Sequence, residues 1–347
     1  MTEFDPSLTS SYENGIYGLP YSEEESELIL IPMPWEVTAS YGGGSALGPE
    51  TILKASPQID LYDFEFKKAY EKGIHMLDIS EELLQKNAQG RQQAKLIFEY
   101  IENNGPHLSE SLLKAQESIN QQSLELQKQL KQQCLDYLKK GKTPCVIGGD
   151  HSVPLGAIEA YSEHYNGDYG ILHVDAHADL RVAYQGFKQS HASIMDNVLK
   201  LPNPPKRLVQ VGIRDFCEEE FEYIESHSNI SCFFDRELKK LSYKGLSWNY
   251  LCEKIINQLP SNVYISFDID GLTPNLCPHT GTPVPGGINF EEMVHLLSTL
   301  YNSGKNIIGF DLCEVAPDPT DSENEWDGNV GARVLYQLCG WTLKSKK

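Results

Sequence analysis

No apolar run in this chain approaches the roughly 20 residues that a helix needs to cross a bilayer, so a membrane span is not expected. The N-terminus, Met-Thr-Glu-Phe-Asp-Pro, carries neither the basic nor the apolar region of a secretory signal, and a cytoplasmic protein is the expectation. Positive charge is scarce: 29 Lys and Arg face 49 Asp and Glu, a formal net charge of −20. Nucleic acid and anionic membranes need a basic surface, so neither is expected as a partner. A small cation would be attracted, although most of the acidic excess reads as solubility. Paired cysteines are missing as well. Cys134, Cys145, Cys217, Cys232, Cys252, Cys277, Cys313 and Cys339 show no C-x-x-C spacing. They read as free thiols in a reducing compartment, not as a disulfide framework or a zinc site. Nor is there an internal repeat or a linker. One domain is expected over residues 27–347, behind a polar surface extension at 1–26 that ends in the acidic run Glu23 to Glu25.

What is present is a series of short apolar, β-branched runs: Leu28–Pro32, Ile74–Leu77, Pro144–Ile147, Gly170–Val174, Arg207–Val211, Ile230–Phe234, Val263–Phe267 and Asn306–Phe310. They are nearly continuous rather than alternating, the pattern of strands buried on both faces of a parallel sheet. Helical segments such as Tyr250–Gln258 and Phe290–Ser303 separate most of them. The expectation is an α/β fold with a mostly parallel, about eight-stranded central sheet. Residues 107–140 contain no Gly or Pro, and apolar residues recur at helical spacing from Leu108 to Leu138. This predicts one long amphipathic helix, entered after Pro106 and stopped at Gly141, packed against the sheet rather than projecting as a coiled coil.

Four of the expected strands end in ligand-type side chains. They lead into Asp150-His151, Asp175-Ala176-His177-Ala178-Asp179, Asp268-Ile269-Asp270, and Asp311 with Glu314. In open α/β sheets a site lies outside the carboxyl ends of the strands. In extended backbone alternate residues point the same way, so Asp175, His177 and Asp179 can converge, as can Asp268 and Asp270. With His151 the set is two imidazoles and four carboxylates, which suits Mn²⁺, and less often Ni²⁺ or Zn²⁺. Four packed carboxylates repel one another unless cations neutralise them. Two divalent ions about 3.5–4 Å apart would balance that charge and share an activated water. Each motif alone is commonplace, a solvated loop or a plain turn. Their conjunction at four strand ends points to one site.

That conjunction resembles the ureohydrolase family, which includes arginase, agmatinase, guanidinobutyrase and formimidoylglutamase. The resemblance rests on Gly148-Gly149-Asp150-His151-Ser152, Asp175-Ala176-His177-Ala178-Asp179, Ser266-Phe267-Asp268-Ile269-Asp270-Gly271-Leu272, Gly281-Thr282-Pro283, Gly286-Gly287 and Glu314-Val315-Ala316-Pro317. The glycine-rich stretch from Ser40-Tyr41-Gly42 to Gly48-Pro49 adds to it. The resemblance implies a three-layer arginase/deacetylase-like fold and a catalytic domain holding two divalent ions per chain, Mn²⁺ first and Ni²⁺ as the alternative. It implies that His151, Asp175, Asp179 and Asp268 hold one ion and that Asp175, His177, Asp268 and Asp270 hold the other. Asp179 would also orient the attacking hydroxide, Glu314 would pair with the guanidinium, and His191 would shuttle a proton to the leaving amine. A homo-oligomer, a trimer or hexamer, is implied too.

Departures from the family pattern cluster in loops that shape the pocket: Thr273-Pro274, Pro278-His279-Thr280-Gly281, and Ala316-Pro317. His279 is therefore a candidate for substrate contact, weighed against an exposed loop residue, and Trp326 is a candidate wall weighed against a packing aromatic. The overall pattern resembles the agmatinase branch. The expected reaction is hydrolysis of a guanidinium C–N bond to urea and an amine, with agmatine-like substrates first and free guanidine second. Formimidoylglutamate is third. A non-catalytic metal-binding scaffold and a single-zinc deacylase are the readings from other classes.

Overall fold

A computed structural model of the protein describes residues 4–6 and 11–346. The eight apolar runs all form strands: β1 Leu28–Met33, β2 Ile74–Met76, β3 Thr143–Gly148, β4 Gly170–Val174, β5 Arg207–Val211, β6 Ile230–Phe233, β7 Asn262–Asp268 and β8 Asn306–Cys313. They make one sheet in the order β2-β1-β3-β8-β7-β4-β5-β6. Every pairing is parallel. The helices are α1 Gly48–Ala55, α2 Glu81–Asn104, α3 Glu110–Lys139, α4 Leu155–His164, α5 Ile194–Leu199, α6 Glu218–Ser226, α7 Asp235–Tyr243, α8 Trp248–Ile256, α9 Phe290–Asn302 and α10 Trp326–Ser345.

Alternate strand residues enter two separate cores, one on each face of the sheet. Leu28, Leu30, Cys145, Ile147, Leu172 and Val174 meet α1, α8, α9 and α10. Ile29, Ile31, Val146 and Ile171 meet α2, α3, α4 and α5. Both faces are thus covered, which is why the strands read as continuous apolar runs. Each fully buried Leu, Ile or Val contributes about 1.5–3 kcal/mol relative to exposure.

The long helix expected at 107–140 is α3. Ser109 caps it by accepting a hydrogen bond from the Leu112 N–H, and its buried residues include Ile119, Leu130, Cys134 and Leu138. It lies in the helical layer, as expected, with Gln127 and Lys131 reaching Glu159 of α4 at 2.8 and 3.1 Å. Helix α2, capped by Ser80, precedes it and was not apparent in the sequence reading.

The polar N-terminal extension is corrected in part. Ile16, Tyr17 and Leu19 are buried. The Tyr17 hydroxyl donates to the Ala332 carbonyl of α10 at 3.1 Å, and the Tyr17 N–H donates to Ser56 Oγ at 2.9 Å. A short apolar patch inside a polar stretch has found the helical layer, so this part of 1–26 is docked rather than superficial. Residues 1–3 and 7–10 of the extension lie outside the described residues. Among the described residues no helix is long and apolar enough to cross a membrane.

Candidate metal centre

The four strands with chemistry at their ends are neighbours at the middle of the sheet, in the order β3-β8-β7-β4. Register aligns them: Val146 of β3 and Ser266 of β7 both pair with Asp311 of β8, and Val174 of β4 pairs with Phe267 of β7. The turn after β3 needs its glycines. A Cβ on Gly148 would lie 2.4 Å from Cys313 Sγ, and one on Gly149 would lie 2.0 Å from the Trp35 carbonyl oxygen. This tight passage delivers His151 to the carboxyl edge, where it is 1% exposed.

His151 Nδ1 faces three carboxylates, at 3.0 Å from Asp175, 3.3 Å from Asp179 and 3.4 Å from Asp268. His177 Nδ1 lies 3.0 Å from Asp270 and 3.5 Å from Asp175. Asp175 joins the two halves: its Oδ2 meets His151 and its Oδ1 meets His177. The six residues expected as ligands are therefore brought together. Asp268 lies on the His151 side, and its Oδ1 accepts the Asp270 N–H at 2.8 Å.

The electrostatics fit a cation-binding site. Burial pushes Asp268 well above the usual carboxylate range, and Asp270 and Asp175 add to the effect. Burial likewise raises Asp179 to about 6, helped by Asp175. Burial alone would lower both imidazoles. The carboxylates more than reverse it, holding His151 well above its ordinary value and His177 at about 12. The cluster thus draws protons where it lacks other positive charge. Neighbouring donors 3.0–3.5 Å apart match the edges of a coordination shell with bonds of about 2.0–2.2 Å. The mixed carboxylate and imidazole donors suit divalent Mn or Ni.

Two supporting residues escaped the sequence reading. His173 is fully buried on β4, with Nε2 2.9 Å from Asp175 Oδ2 and Nδ1 accepting from the Gln210 amide at 3.0 Å. The same amide donates to the Ala178 carbonyl at 2.8 Å. The spacing of two therefore runs His173, Asp175, His177, Asp179, and carrying the pattern two residues back into the strand would have found it. Ser266 is the second. It sits 2.9 Å from His151 Nε2 and donates to Asp311 Oδ1 at 3.1 Å. Such partners fix the ring of a ligating histidine and its tautomer. Asp311 itself is wholly buried, and its Oδ2 has no hydrogen-bond partner among the described residues.

Glu314 lies beneath the same edge, 8% exposed, with Oε1 accepting the His151 N–H at 3.0 Å. Burial, and then the Asp150 carboxylate, hold it well above the usual range. Its φ is 63° and that of Asp179 is 54°, left-handed values that cost a non-glycine residue about 1–3 kcal/mol. Backbone contacts hold Glu314 there: its N–H donates to the Gly149 carbonyl at 2.8 Å, and its carbonyl accepts from Thr280 Oγ1 at 2.8 Å.

The cluster opens into a cavity of about 310 Å³, lined by His177, Asp179, Arg181, His191, Tyr41 and Thr282 among others. His191 Nδ1 donates to the Thr38 carbonyl at 3.0 Å, and Nε2 lies 3.4 Å from Ser40 Oγ. Burial, reinforced by His177, lowers its pKa to about 4. Arg181, also unread in the sequence, lies over the Tyr184 ring at 4.8 Å and reaches Glu220 at 3.6 Å. The structure does not bring His279 to this cavity. Its Nδ1 is 2.7 Å from Asp327 and its Nε2 is 3.3 Å from Asp318, so the ring ties the 278–283 loop to the start of α10 through one nitrogen and to the loop between β8 and α10 through the other. Trp326 is half exposed and donates from Nε1 to the Asn275 carbonyl.

An all-parallel sheet between two helical layers, with paired carboxylates and imidazoles at its central carboxyl edge, defines the ureohydrolase class. The chain belongs to the arginase family, whose family model matches residues 26–340. The N(1)-aminopropylagmatine ureohydrolase of Thermus thermophilus is 30% identical over 300 residues, covering 86% of this chain and 85% of that protein. The agmatinase of Bacillus anthracis is 30% identical over 326 residues, covering 92% and 93%. The agmatine ureohydrolase of Thermoplasma volcanium shares the fold with a TM-score of 0.68, at 22% identity, over 97% of this chain and 95% of that one. The three-layer fold and the family read from the sequence are borne out.

Proposed function

We propose that this protein hydrolyses the guanidinium C–N bond of agmatine or a close analogue, releasing urea and an amine. The observation that carries the reading is Asp175, whose two carboxylate oxygens face two imidazoles, His151 and His177, above a cavity with acidic walls. The names of the relatives from Thermus thermophilus and Bacillus anthracis point to the same substrate class.

His151, Asp175, Asp179 and Asp268 would hold one divalent ion, and Asp175, His177, Asp268 and Asp270 the other, with Mn²⁺ preferred to Ni²⁺. Such ions supply Lewis-acid activation of water and neutralise the four carboxylates. Asp179, in reach of both the cluster and the cavity, would accept a hydrogen bond from the attacking water and aim its lone pair at the guanidinium carbon. Glu314 offers a carboxylate for charge-assisted pairing with the guanidinium. With Nδ1–H committed to Thr38, His191 presents an acceptor lone pair on Nε2, which Ser40 Oγ faces at 3.4 Å. It would take the proton released by water and give it to the departing nitrogen as the C–N bond breaks. A cytoplasmic homo-oligomer, a trimer or hexamer, completes the proposal, and light scattering giving one chain's mass would remove the oligomer from it.

The test is urea release by protein reconstituted separately with Mn²⁺ and Ni²⁺, over agmatine, arginine, guanidine, 4-guanidinobutyrate and formimidoylglutamate. Preference for agmatine supports the proposal. A preference for guanidine moves the substrate, and silence on all compounds with two ions bound overturns the reaction.

A further inference from the structure

We infer that Arg91, on helix α2 and outside the metal cluster, is a positioning residue that holds the glycine loop 39–44 as one wall of the cavity. The inference rests on the guanidino-hydrolase reading for its kinetic consequence, but not for its structural one.

The loop needs holding. Gly42, Gly43 and Gly44 follow one another with φ of 63°, 145° and 109°. Glycine imposes little preference on its own backbone, so three in succession would leave this segment poorly ordered without outside contacts. Two charged groups supply them. Glu36 grips the far end, accepting from the Gly44 N–H at 2.6 Å, the Ala46 N–H at 3.1 Å and Ser45 Oγ at 3.2 Å. Arg91 grips the near end and the middle. Its Nη1 donates to the Ala39 carbonyl, and its Nη2 donates to the Gly42 carbonyl at 3.0 Å.

Helix α2 is fitted to this task at three buried positions on adjacent turns, Asn87, Gly90 and Arg91. Asn87 Oδ1 accepts the Glu36 N–H at 2.7 Å. At Gly90 a Cβ would come within 2.9 Å of Val37 Cγ2, so only glycine lets the helix approach. Arg91 is 8% exposed and forms no ion pair with a carboxylate among the described residues. A buried guanidinium needs donors spent on acceptors, and here they go to two loop carbonyls. A planar fork reaching two carbonyls fixes a loop in a way that a single ammonium cannot.

What the loop carries links Arg91 to the chemistry. Between the two grips, Ser40 and Tyr41 line the cavity. Just before them, the Thr38 carbonyl holds His191 Nδ1, and Ser40 Oγ lies beside His191 Nε2. On its other side, Gly42 packs so close to Gly281 that a Cβ would meet the Gly281 carbonyl oxygen at 2.6 Å. The loop therefore touches both the proton-carrying histidine and the segment covering Glu314. Release of Arg91 would leave the metal ligands in place and lower the fraction of molecules with a formed cavity wall. Apparent affinity falls in proportion to that fraction, so the loss belongs mainly in KM.

The experiment uses Arg91→Met and Arg91→Lys in the full chain loaded with Mn²⁺. Misplacing a supporting segment by about 1 Å costs up to roughly a hundredfold, so kcat/KM for agmatine should fall about 10- to 100-fold in Arg91→Met, chiefly through KM, with partial recovery in Arg91→Lys. Bound metal should stay at the wild-type stoichiometry. Amide hydrogen exchange should accelerate in residues 38–46 and not in the sheet, a readout that needs no substrate. Unchanged exchange in 38–46 overturns the inference. So does a loss confined to kcat with unchanged KM, which partial unfolding would produce. If Arg91→Met does not fold, Arg91→Lys decides alone: wild-type exchange and KM in that variant refute the fork. Absence of urea from the wild type would sink the reaction while leaving the exchange result to judge the clamp.

Discussion

Replacing Asp268 with Asn should have opposite consequences in the metal-free and metal-loaded protein. Asp268 is 3% exposed, and its Oδ2 lies 3.4 Å from His151 while its Oδ1 accepts the Asp270 N–H. Asparagine can keep the backbone contact and removes one negative charge. In the metal-free protein that charge is unfavourable: burial raises the group's pKa, and Asp270 and Asp175 oppose ionisation further. Metal-free Asp268→Asn should therefore melt no lower than the metal-free wild type. Loading reverses the order. An ion present at 100 times its Kd stabilises the folded state by about 2.7 kcal/mol, and one present at its Kd by about 0.4 kcal/mol. Unfolding entropy of about 2.1 cal/mol/K per residue over the 347-residue chain makes 1 kcal/mol worth about 1.4 °C. Wild type should gain roughly 4 °C for each site so filled, and a variant with a hundredfold weaker site less than about 1 °C. Calorimetry on chelator-stripped and Mn²⁺-loaded samples, alongside urea release, reads both. A variant that binds two ions and turns over near the wild-type rate would refute the ligand assignment. A metal-free variant several degrees below its wild-type counterpart would refute the repulsion argument.

The other predictions concern the same edge of the sheet. Glu314→Gln removes a charged partner worth about 1.5–3 kcal/mol, so kcat/KM should fall roughly 10- to 150-fold with metal content unchanged; mass spectrometry and urea assays together check this. His173→Gln should weaken metal binding about 10- to 100-fold by freeing Asp175, read by titration with a competing chelator. Asp150 and Asp179, each raised to about 6, hold protons in the folded metal-free chain that the unfolded chain releases above 3.8. Their stabilising contribution is present below pH 3.8 and lost as pH rises through about 6. Ligation displaces protons, so metal loading should release them already at pH 7, from His177, held at about 12, and from His151, and release more at pH 5, where Asp179 holds one too, measurable by calorimetry in buffers of different ionisation enthalpy. His191 works in the opposite sense. Its folded pKa of about 4 lies below the ordinary 6.5, so its contribution is present above 6.5 and lost as pH falls towards 4. His191→Gln should flatten the decline in melting temperature across that window, and an unchanged decline would contradict the burial of a neutral ring.

What could be read in advance was local and periodic, and what could not was decided by contacts between distant segments. The eight strands were legible because both sheet faces are covered, which leaves an uninterrupted apolar signature in each run. The metal cluster was legible because side chains two apart in extended backbone share a side, and the four relevant strands end in that pattern. His173 obeys the same rule but sits inside the strand, where a histidine is easily taken as part of the sheet. Asp311 was legible as a strand-end carboxylate, but its meeting with Ser266 was not: the two pair through the β7–β8 register, which no single segment encodes. Ile16, Tyr17 and Leu19 are too short a patch to announce burial, and only α10 and Ser56 give them a place. His279 shows the converse. A histidine in an unusual loop near a site invites a substrate role, yet Asp318 and Asp327 lie 39 and 48 residues away in sequence and claim both nitrogens. Arg91 belongs with these non-local cases, since a lone arginine on a helix reads as solvated until the carbonyls of Ala39 and Gly42 are found beneath it. The candidate ligands are therefore the easier residues to find in this chain, because a metal-binding cluster demands several of one type at fixed spacing. Residues that hold the chemistry in place need only one good contact each, and that contact can come from anywhere in the fold.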